Sequence, residues 1–597
     1  MPRPLLLLFA LLLVTLPAAV RGGVPTSSFL RRPDIHGDRV VFTSEGDLWL
    51  GSVKGGTARR LTTHEGLEGA ARFSPDGALL AFTGQYDGGT DIYVMPAEGG
   101  SPRRLTYGAG GVTVGWTPEG KQVLYRSRRA SPEGNNRLWS VPVEGGMPRL
   151  LPIPRAELAS MHRDGRRVAY VPVSGEWQHW KRYQGGQADD IWLADLEAKT
   201  FKKLTDYAGV DTAPVWAGDR IYFVSERNDV ANLFRMDASG GKVTPVTRYT
   251  DFDVRYPASD GERVVFEYGN GIALLDPKGD EVRPLAFTLG SERVHARPRR
   301  IPVQQSVNWS NIGPSGKRLL FEARGQILTV PVESGDFRMI APRPGSRSQY
   351  PAWSPDGKWI AFVSDRSGEE QVWVAPAAGA GAPRQLTTDH RGPLGALIWS
   401  PDSKRIAVGD REMRIMVVDV ETGALTQVDQ SDRGGSYDAT NYSYRFSPDS
   451  RWLAYHKTEP NDNNVVYLYE LATAKKVPVS SPEMNSYGPS FDPTGKYLAF
   501  LSDRSFNPQG TGPTRFFAVQ KTTKVSLLTL AAETPSPFLL TNDEEAMPDA
   551  TPAPPAAADP TAKTEPAAPG GERPAAVEAK PVKVDLEGIA QRIIDVP

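Results

Sequence analysis

Short apolar runs alternate with glycine- and proline-rich turns along most of the chain. The clearest example spans residues 71–106, where a turn at 74–77 leads into an apolar run at 79–82, and a glycine hairpin leads into a second run at 91–95. Proline presets the first corner of such a turn, and glycine accepts its left-handed corner. Alternating β-branched and aromatic residues favour strands. The pattern predicts an antiparallel sheet of about four strands, and such a sheet cannot bury both of its faces alone.

The same unit recurs along the chain. Opening strands and closing Leu-Thr-like steps repeat at a spacing of about 40 to 55 residues, which is typical of radial blades. The closing steps are Leu61-Thr62, Leu105-Thr106, Leu150-Leu151, Leu204-Thr205, Val246-Thr247 and Pro284-Leu285. These six units predict a closed six-bladed β-propeller over residues 24–296.

A second series of units begins after a basic joint at residues 294–300. Its turns start at Gly313, Ser354, Ser400, Ser447 and Asp492. Five blades are a poor number for closing a ring, so we expect blades to be missing from this second propeller, assigned to residues 301–597. The predicted fold class is therefore all-β, with tandem β-propellers of which the second is incomplete.

The first 22 residues have the pattern of a signal peptide. Arg3 precedes an apolar run at 5–16, and small residues follow at 18–22. The run is too short to span a membrane comfortably, and no other stretch approaches that length. The chain has no cysteine, which excludes disulfides, a lipid-anchored cysteine and thiolate metal sites. We expect a periplasmic or secreted protein without a membrane span after signal cleavage.

Charge and motifs exclude several kinds of function. The 69 Lys and Arg residues against 70 Asp and Glu give a net charge of −1, so no strong field favours nucleic acid. The seven histidines form no HExxH motif or close pair, and GxSxG and phosphate-loop motifs are missing. We therefore predict no catalytic residue, metal site or cofactor in this chain. The repeated aspartates of the turns, Asp76, Asp356, Asp402 and Asp449, are predicted to cap those turns.

Three local features remain as candidates for binding or flexibility. Arg128 and Arg129 follow a strand of the third blade, where adjacent arginines suit a carboxylate; an exposed basic edge that discourages strand pairing is the alternative. An aromatic-basic insertion carries Trp177, Trp180 and Tyr183, which line a groove or pack between blades. Residues 542–580 are rich in Ala, Pro, Glu and Thr, and are predicted to form a disordered insertion in the second propeller.

These motifs together resemble the propellers of tricorn-type serine peptidases. The resemblance rests on FSPDG through RRLT (73–106), RSRRAS with NRLWSVPVEGG (126–146), WKRYQGGQADDIWLADL (180–196) and the long run at 350–374. It continues through FLSDRSFNP, TPSPF and VDLEGIAQRIIDVP at 500–508, 534–538 and 584–597. The blades are expected to be TolB/WD-like and four-stranded. The SPDG repeats alone are shared with TolB-like and prolyl-oligopeptidase-type propellers, so the later motifs narrow the match.

The resemblance implies a gating role and a missing catalytic half. The family continues with the rest of a seven-bladed second propeller, a helical domain, a PDZ-like module and a catalytic core, so this chain is expected to end at the start of a sixth blade. It also implies that Arg128 and Arg129 anchor the terminal carboxylate of peptides, that unfolded polypeptide is channelled to a protease core, and that homo-oligomers form. The alternatives are a TolB-like periplasmic scaffold that binds protein partners without catalysis, and a prolyl-oligopeptidase-type enzyme.

Overall fold

The structure, a computed structural model, contains two compact units, Met1–Arg299 and Arg300–Pro597. It describes residues 29–108, 110–129, 131–173, 182–292, 300–431, 444–505, 508–511, 516–519, 522–538 and 580–596. The predicted signal peptide and residues 542–579 of the predicted insertion lie outside these residues. Within the described ranges, regular structure is β except for two 3-10 turns, Gln304–Ser306 and Ile589–Arg592, and no helix is long and apolar enough to cross a membrane.

Six four-stranded antiparallel sheets follow one another in the first unit, and we number them as blades 1 to 6. Each sheet uses a continuous stretch of chain in simple up-and-down order, and one further strand, β25 (Phe287–Leu289), adds to the edge of blade 1. The blades contain, in order, β1 (Arg31–His36), β2 (Arg39–Ser44), β3 (Asp47–Ser52) and β4 (Gly56–Arg60); β5 (Glu68–Phe73), β6 (Leu79–Gly84), β7 (Asp91–Pro96) and β8 (Arg103–Arg104); β9 (Val112–Trp116), β10 (Gln122–Ser127), β11 (Arg137–Pro142) and β12 (Arg149–Leu150); β13 (Ala159–Met161), β14 (Arg167–Tyr170), β15 (Trp192–Asp195) and β16 (Thr200–Lys203); β17 (Asp211–Ala217), β18 (Arg220–Asn228), β19 (Val230–Asp237) and β20 (Thr244–Pro245); β21 (Val254–Ser259), β22 (Val264–Tyr268), β23 (Gly271–Asp276) and β24 (Glu281–Leu285).

Buried apolar clusters lie at all six interfaces between neighbouring blades of the first unit. At the last interface, Phe42 and Trp49 of blade 1 pack with Val265 and Leu274 of blade 6. Each sheet thereby buries both faces, which a single sheet cannot do alone. The packing of blade 6 on blade 1 closes the ring and confirms the predicted six-bladed propeller.

The predicted turn chemistry is present in atomic detail. Ser74 Oγ donates to Asp76 Oδ1 at 2.6 Å and accepts from Leu79 N at 2.9 Å, while Asp76 also accepts from Ala78 N at 3.0 Å. The same three bonds recur in the turns that contain Asp356, Asp402 and Asp449. The prediction that these aspartates cap turns is therefore confirmed.

The closing Leu-Thr steps also have a structural role. Thr106 Oγ1 accepts from Ile92 N at 3.0 Å and donates to Asp91 Oδ1 at 2.7 Å, so its hydroxyl fixes the edge strand to the third strand of its blade. Equivalent backbone bonds of 2.9 Å are accepted by Thr62, Thr205 and Thr247. A side-chain oxygen thus satisfies a buried N–H where the short edge strand ends.

The second unit contains five four-stranded sheets, numbered here as blades 7 to 11. They contain, in order, β26 (Val307–Ile312), β27 (Arg318–Ala323), β28 (Gln326–Pro331) and β29 (Arg338–Ile340); β30 (Ser348–Trp353), β31 (Trp359–Ser364), β32 (Gln371–Pro376) and β33 (Arg384–Gln385); β34 (Ile398–Trp399), β35 (Arg405–Gly409), β36 (Arg414–Asp419) and β37 (Leu425–Gln430); β38 (Tyr444–Phe446), β39 (Trp452–Thr458), β40 (Asn464–Glu470) and β41 (Lys475–Pro478); β42 (Ser486–Phe491), β43 (Tyr497–Ser502), β46 (Lys524–Thr529) and β47 (Ile593–Asp595). A separate two-stranded hairpin, β44 (Pro508–Thr511) and β45 (Phe516–Val519), is inserted within blade 11.

Four buried clusters join the five blades of the second unit in succession. Among the described residues, no buried apolar cluster joins blade 7 to blade 11. Exposed apolar side chains lie in blade 7 instead, where Ile312 is 57% and Phe337 is 64% exposed. The second unit is therefore a propeller arc in which the first and last blades share no buried cluster.

The assignment of the last residues to a sixth blade of this unit is wrong. Strand β47 pairs with β46, with Ser526 opposite Asp595, and it forms the outer strand of blade 11, the fifth blade of the unit. The segment before it returns along the same blade, where Val582 and Ile589 are buried. Residues 539–579 separate this strand from the rest of its sheet, so the regular spacing of the repeat misassigns it.

Candidate functional site

A cavity of about 450 Å³ lies on the axis of the first unit. All six innermost strands, which are the first strands of blades 1 to 6, contribute side chains to its wall. We call this cavity the channel. The turns between first and second strands lie at one end of it, and we call the opposite end, which carries the hairpins between second and third strands, the hairpin end. A wall of six inner strands is what radial packing of blades produces.

Bulges in the innermost strands shape the channel. The pairing register shifts in blades 1, 2, 3, 5 and 6, and the bulges of blades 1, 2, 5 and 6 each contain a non-glycine residue with positive φ: Arg32 (48°), Ala70 (51°), Ala213 (50°) and Tyr256 (46°). Such residues are strained and are found mostly where the surrounding structure needs them. A bulge re-aims side chains, and here it brings the Arg32 guanidinium 4.6 Å from the ring centre of Tyr256 in the adjacent blade.

Arg72 connects three blades at the channel wall. Its Nε donates to the carbonyl of Val114 at 3.3 Å, and its Nη1 donates to the carbonyls of Pro33 and Ala71 at 3.3 and 3.1 Å. These carbonyls belong to blades 3, 1 and 2 and lie at or beside the bulges. The side chain therefore holds neighbouring inner strands together and places positive charge beside the channel.

Asp34 is the acidic counterpart within this wall. It is only 6% exposed, and Oδ2 accepts from Phe73 N of the next blade at 2.7 Å. Burial raises the pKa of Asp34 to about 6, although Arg72 and the Phe73 hydrogen bond oppose the shift. The carboxylate thus joins blades 1 and 2.

The predicted pair Arg128 and Arg129 lies at the hairpin end of the first unit. Both side chains are exposed in the connection between β10 and β11, where Arg129 N donates to Ser127 Oγ at 3.1 Å. Among the described residues neither arginine forms an ion pair, and neither lines the channel. The preceding Arg126 differs, because it is 8% exposed, lines the channel and pairs with Glu157 at 3.3 Å.

Of the three aromatic residues named in the predicted aromatic-basic insertion, Tyr183 lies within the described residues. Trp177 and Trp180 lie outside the described residues. Tyr183 is half-buried, and its hydroxyl accepts from Gln187 N at 3.4 Å. Its groove or packing role therefore stays a prediction.

The second unit contains an arginine group that the sequence analysis missed. Arg324 and Arg347 are exposed beside a cavity of about 460 Å³ at the hairpin end of blades 7 and 8, which Asn308, Glu322 and Asp365 also line. Arg366 lies nearby at the end of β31 and is only 8% exposed. Within the described part of the chain none of these three arginines forms an ion pair.

Arg366 is a buried cation held by neutral groups. It donates to the carbonyl of Ala341 at 2.9 Å and to the hydroxyls of Ser364 and Ser348 at 3.2 and 3.3 Å. Its guanidinium also lies 4.9 and 5.2 Å from the rings of Phe362 and Trp373. Burial, followed by the nearby charge of Arg343, lowers the pKa of Arg366, although the charge of the adjacent Asp365 opposes this shift. Buried charges are normally paired, so this arrangement favours the approach of an anion.

A sequence signal for this group exists in the repeat itself. Ser127 and Ser364 are both buried, and each ends the second strand of its blade. Arg128 and Arg129 follow the first serine, and Asp365-Arg366 follows the second. Superposing the repeats would therefore have placed Arg366 near the position that Arg128 and Arg129 occupy in the first unit. Among the described residues no group of three or more His, Asp or Glu side chains is arranged to hold a metal ion.

Comparison with known proteins gives one consistent family. The family described as "Tricorn protease N-terminal beta propeller domain" matches residues 27–281, and "Tricorn protease second beta propeller domain" matches residues 308–597. Tricorn protease homolog 1 of Streptomyces coelicolor is 32% identical over 539 residues, which cover 88% of this chain and 49% of that protein. Tricorn protease of Thermoplasma acidophilum is 26% identical, covering 87% of this chain and 48% of that protein.

A solved structure supports the fold. The crystal structure of the tricorn protease matches 96% of this chain and 53% of its own chain, with a TM-score of 0.54 and 23% identity. The chain thus spans about half the length of the curated relatives that it matches.

Proposed function

Because the chain carries the first and second β-propeller domains of the tricorn protease family, we propose that it is the peptide-gating and channelling region of an exported tricorn-like serine peptidase. In this proposal hydrolysis belongs to a catalytic part outside these 597 residues, and the propellers admit peptides or unfolded polypeptide. Export rests on the signal-like residues 1–22. Assembly into homo-oligomers is part of the same proposal.

The observation that carries this proposal is the set of arginines without carboxylate partners at the hairpin ends. Arg128 and Arg129 in the first unit, and Arg324, Arg347 and Arg366 in the second, form no ion pair within the described residues. Guanidinium groups bind carboxylates through short, bidentate, charge-assisted hydrogen bonds. Every linear peptide with a free C-terminus offers such a group, whatever its sequence, so these arginines suit the capture of many different peptides.

The channel supports the same proposal. Its volume of about 450 Å³ is within the usual range for ligand sites, and its wall of inner strands excludes folded domains. Arg72 and the Arg32–Tyr256 pair make one part of this wall positive and aromatic. An extended peptide presents alternating carbonyls and side chains that such a wall can contact.

The test compares peptides that differ only at their C-terminus. A fluorescent peptide with a free carboxylate and its C-terminal amide are titrated with the full chain and with an Arg128→Ala/Arg129→Ala variant. Loss of charge-assisted bonds is expected to weaken binding of the free acid about tenfold and to leave the amide unchanged. Arg149→Ala is the matched control, because Arg149 is an exposed arginine on an outer edge strand.

The second unit is tested separately with Arg366→Met. This variant keeps the length of the side chain and removes its charge, and it is expected to reduce binding of the free acid while sparing the amide. Equal losses for both peptides in both variants would contradict carboxylate recognition. A TolB-like scaffold that binds folded partners would then explain the chain better.

A further inference from the structure

A short segment after the sixth blade crosses to the first blade of the ring. Strand β25 runs parallel to β4, with Phe287, Thr288 and Leu289 opposite Gly56, Thr57 and Ala58. Just before it, Gly56 N donates to the carbonyl of Ala286 at 2.9 Å. Ser291, just after it, donates to the Glu45 carboxylate of blade 1. We call residues 286–291 the clasp.

Blade 1 has a recess that fits the clasp. An added Cβ at Gly51 would lie 2.3 Å from the Phe287 ring, and one at Gly55 would lie 2.6 Å from the Ala286 carbonyl oxygen. Gly55 also has a φ of 77°, which side chains rarely adopt. The Phe287 ring packs 4.9 Å from that of Phe42 in the core between blades 6 and 1. Backbone and side chain of the clasp therefore both depend on the absence of side chains at these glycines.

The clasp lies where the ring is covalently weakest. The four strands of each blade come from one continuous stretch of chain, so among the described residues β25 is the only strand that joins one end of the ring to the other. In addition, β4 pairs with β3 only at Trp49–Arg60 and Leu50–Arg59. The clasp supplies the second neighbour of this edge strand and covers backbone groups that would otherwise be exposed.

We propose that the clasp is the closure device of the first ring. It holds blade 6 on blade 1 by strand addition and by the Phe287 side chain, and its release opens this one seam while the other five interfaces stay packed. The seam also has polar contacts that do not involve the clasp. Arg31 pairs with Glu267 at 3.0 Å, the Arg32 N–H also donates to Glu267, and Leu30 N donates to the Asn270 carbonyl at 3.0 Å. Arg283 Nη2 donates to the Val53 carbonyl at 2.9 Å, and Arg263 Nη2 donates to the Gly37 carbonyl at 2.6 Å. The inference concerns ring closure alone and does not depend on the proposed function.

Hydrogen exchange measured by mass spectrometry on the full chain tests the clasp. Phe287→Ala is expected to speed exchange about tenfold in β1 and β22, which flank the seam, while β10 and β14 across the ring keep their wild-type rates. Phe234→Ala is the matched control, since Phe234 is a buried phenylalanine at the interface between blades 4 and 5. It is expected to speed exchange in those blades and not at the seam. Wild-type exchange at the seam in Phe287→Ala, or equal acceleration in all six blades, would overturn the proposal.

A crosslink tests the same point without removing a core side chain. Thr57 and Thr288 are exposed register partners on neighbouring strands, where the spacing of about 4.8 Å suits a disulfide. Because the chain has no cysteine, Thr57→Cys/Thr288→Cys introduces only this pair. The oxidised form is expected to exchange at least about tenfold more slowly at the seam than the reduced form, with the other interfaces unchanged. Identical seam exchange in the two forms would show that clasp release does not limit opening, and would overturn the proposal.

Discussion

The two units use the same repeat, but they differ in how the repeat ends. The first unit has six blades and six buried interfaces, whereas the second has five blades and four buried clusters within the described residues. In a closed ring every blade has two neighbours, so global unfolding has to break all the interfaces together, although one interface can still open locally. In an arc, the first and last blades have one such neighbour each, and stability is closer to a sum of local terms.

The units also differ in the groups that surround a buried arginine. Arg126 of the first unit is paired with Glu157, while Arg366 of the second is surrounded by a carbonyl, two hydroxyls and two aromatic rings. A paired buried charge is costly to break, whereas an unpaired one is already costly to keep. From this comparison we expect Arg126 to contribute more than Arg366 to the stability of its unit, as the proposed binding role of Arg366 requires.

The largest expected effect tests whether the first unit behaves as a closed ring and the second as an open arc. Phe223→Ala in the first unit and Phe500→Ala in blade 11 remove equally buried rings, and each is expected to cost about 3–5 kcal/mol locally. Because the closed ring unfolds as one cooperative unit, Phe223→Ala should lower the midpoint of global unfolding for all six blades together, while local opening below that midpoint is faster only in blades 4 and 5. Phe500→Ala should loosen blade 11 and leave hydrogen exchange in blades 7 and 8 unchanged.

Exchange mass spectrometry with thermal denaturation separates these outcomes. Ile327→Ala, at the interface of blades 7 and 8, is the control within the second unit. If Phe500→Ala accelerates exchange in blade 7 as much as in blade 11, the second unit behaves as a closed ring and the comparison fails.

The second prediction concerns the two buried arginines. Arg126→Met leaves the mostly buried Glu157 without its cation and is expected to destabilise the first unit by about 2–3 kcal/mol. Arg366→Met removes a charge that has no counter-ion, so the lost hydrogen bonds are offset by relief of burial and the change is expected to stay below about 1 kcal/mol. Urea denaturation followed by tryptophan fluorescence measures both. A loss in Arg366→Met as large as that in Arg126→Met would argue that Arg366 is structural.

The repeat itself was readable from the sequence because turn chemistry is local. Serine, aspartate and glycine at fixed offsets predicted each turn, and the aspartates do cap it. The blade number of the first unit followed from the same spacing. Strand β47 was misassigned because residues 539–579 separate it in sequence from the other strands of its sheet. The regular spacing of the repeat therefore does not indicate which strand β47 pairs with.

The candidate site was less predictable because it depends on contacts between distant residues. The bulges place positive φ at Arg32 and Tyr256, two residue types that give no such signal in a sequence. The burial of Arg366 results from packing against Phe362 and Trp373, which lie on neighbouring strands of its blade. Arg128 and Arg129 were singled out because they are adjacent in the chain and because their loop resembles the tricorn-type motif, and their binding role stays a prediction.

The third prediction uses pH to separate the two units. In the first unit, burial raises the pKa of Asp189 to about 8, of Glu68 to about 7 and of Asp211 to about 6. Between about pH 5 and its own folded pKa, each of these carboxyls holds a proton in the folded state that it has lost in the unfolded state, so folding takes up protons. Raising the pH from 5 to 8 is therefore expected to lower the stability of the first unit.

In the second unit, His456 is expected to contribute a slope in the opposite direction, which burial of Glu370, whose pKa is raised, partly offsets. Burial lowers the pKa of His456 to about 4, so below about pH 6.5 the unfolded chain binds a proton that the folded unit does not. Its stability should fall as the pH drops from 7 to 5. Asp410, whose pKa hydrogen bonds from His390 and Arg414 hold below its usual value despite burial, stays ionised throughout and adds no slope.

Melting curves between pH 5 and 8 measure both trends, with midpoint shifts of about 2–4 °C for each kcal/mol. Asp189→Asn should flatten the curve of the first unit, and His456→Gln should flatten that of the second. Parallel curves for the two units, unaffected by these substitutions, would refute the assignment of the opposite slopes to these groups.

The smallest expected effect asks whether the shared turn contributes equally in both units. Asp76→Ala and Asp356→Ala each remove a carboxylate that accepts from one hydroxyl and one backbone N–H. Each is expected to cost about 0.5–1.5 kcal/mol, because the turn is exposed and water replaces the lost bonds. The backbone N–H of Asp356 also donates to Ser403 Oγ of the next blade at 3.1 Å. This bond does not involve the side chain, so it survives the substitution. Equal losses, measured by urea denaturation of each unit, would show that the repeat is energetically the same in ring and arc. A clearly larger loss for Asp356→Ala would mean that an arc depends more on its turns than a closed ring does.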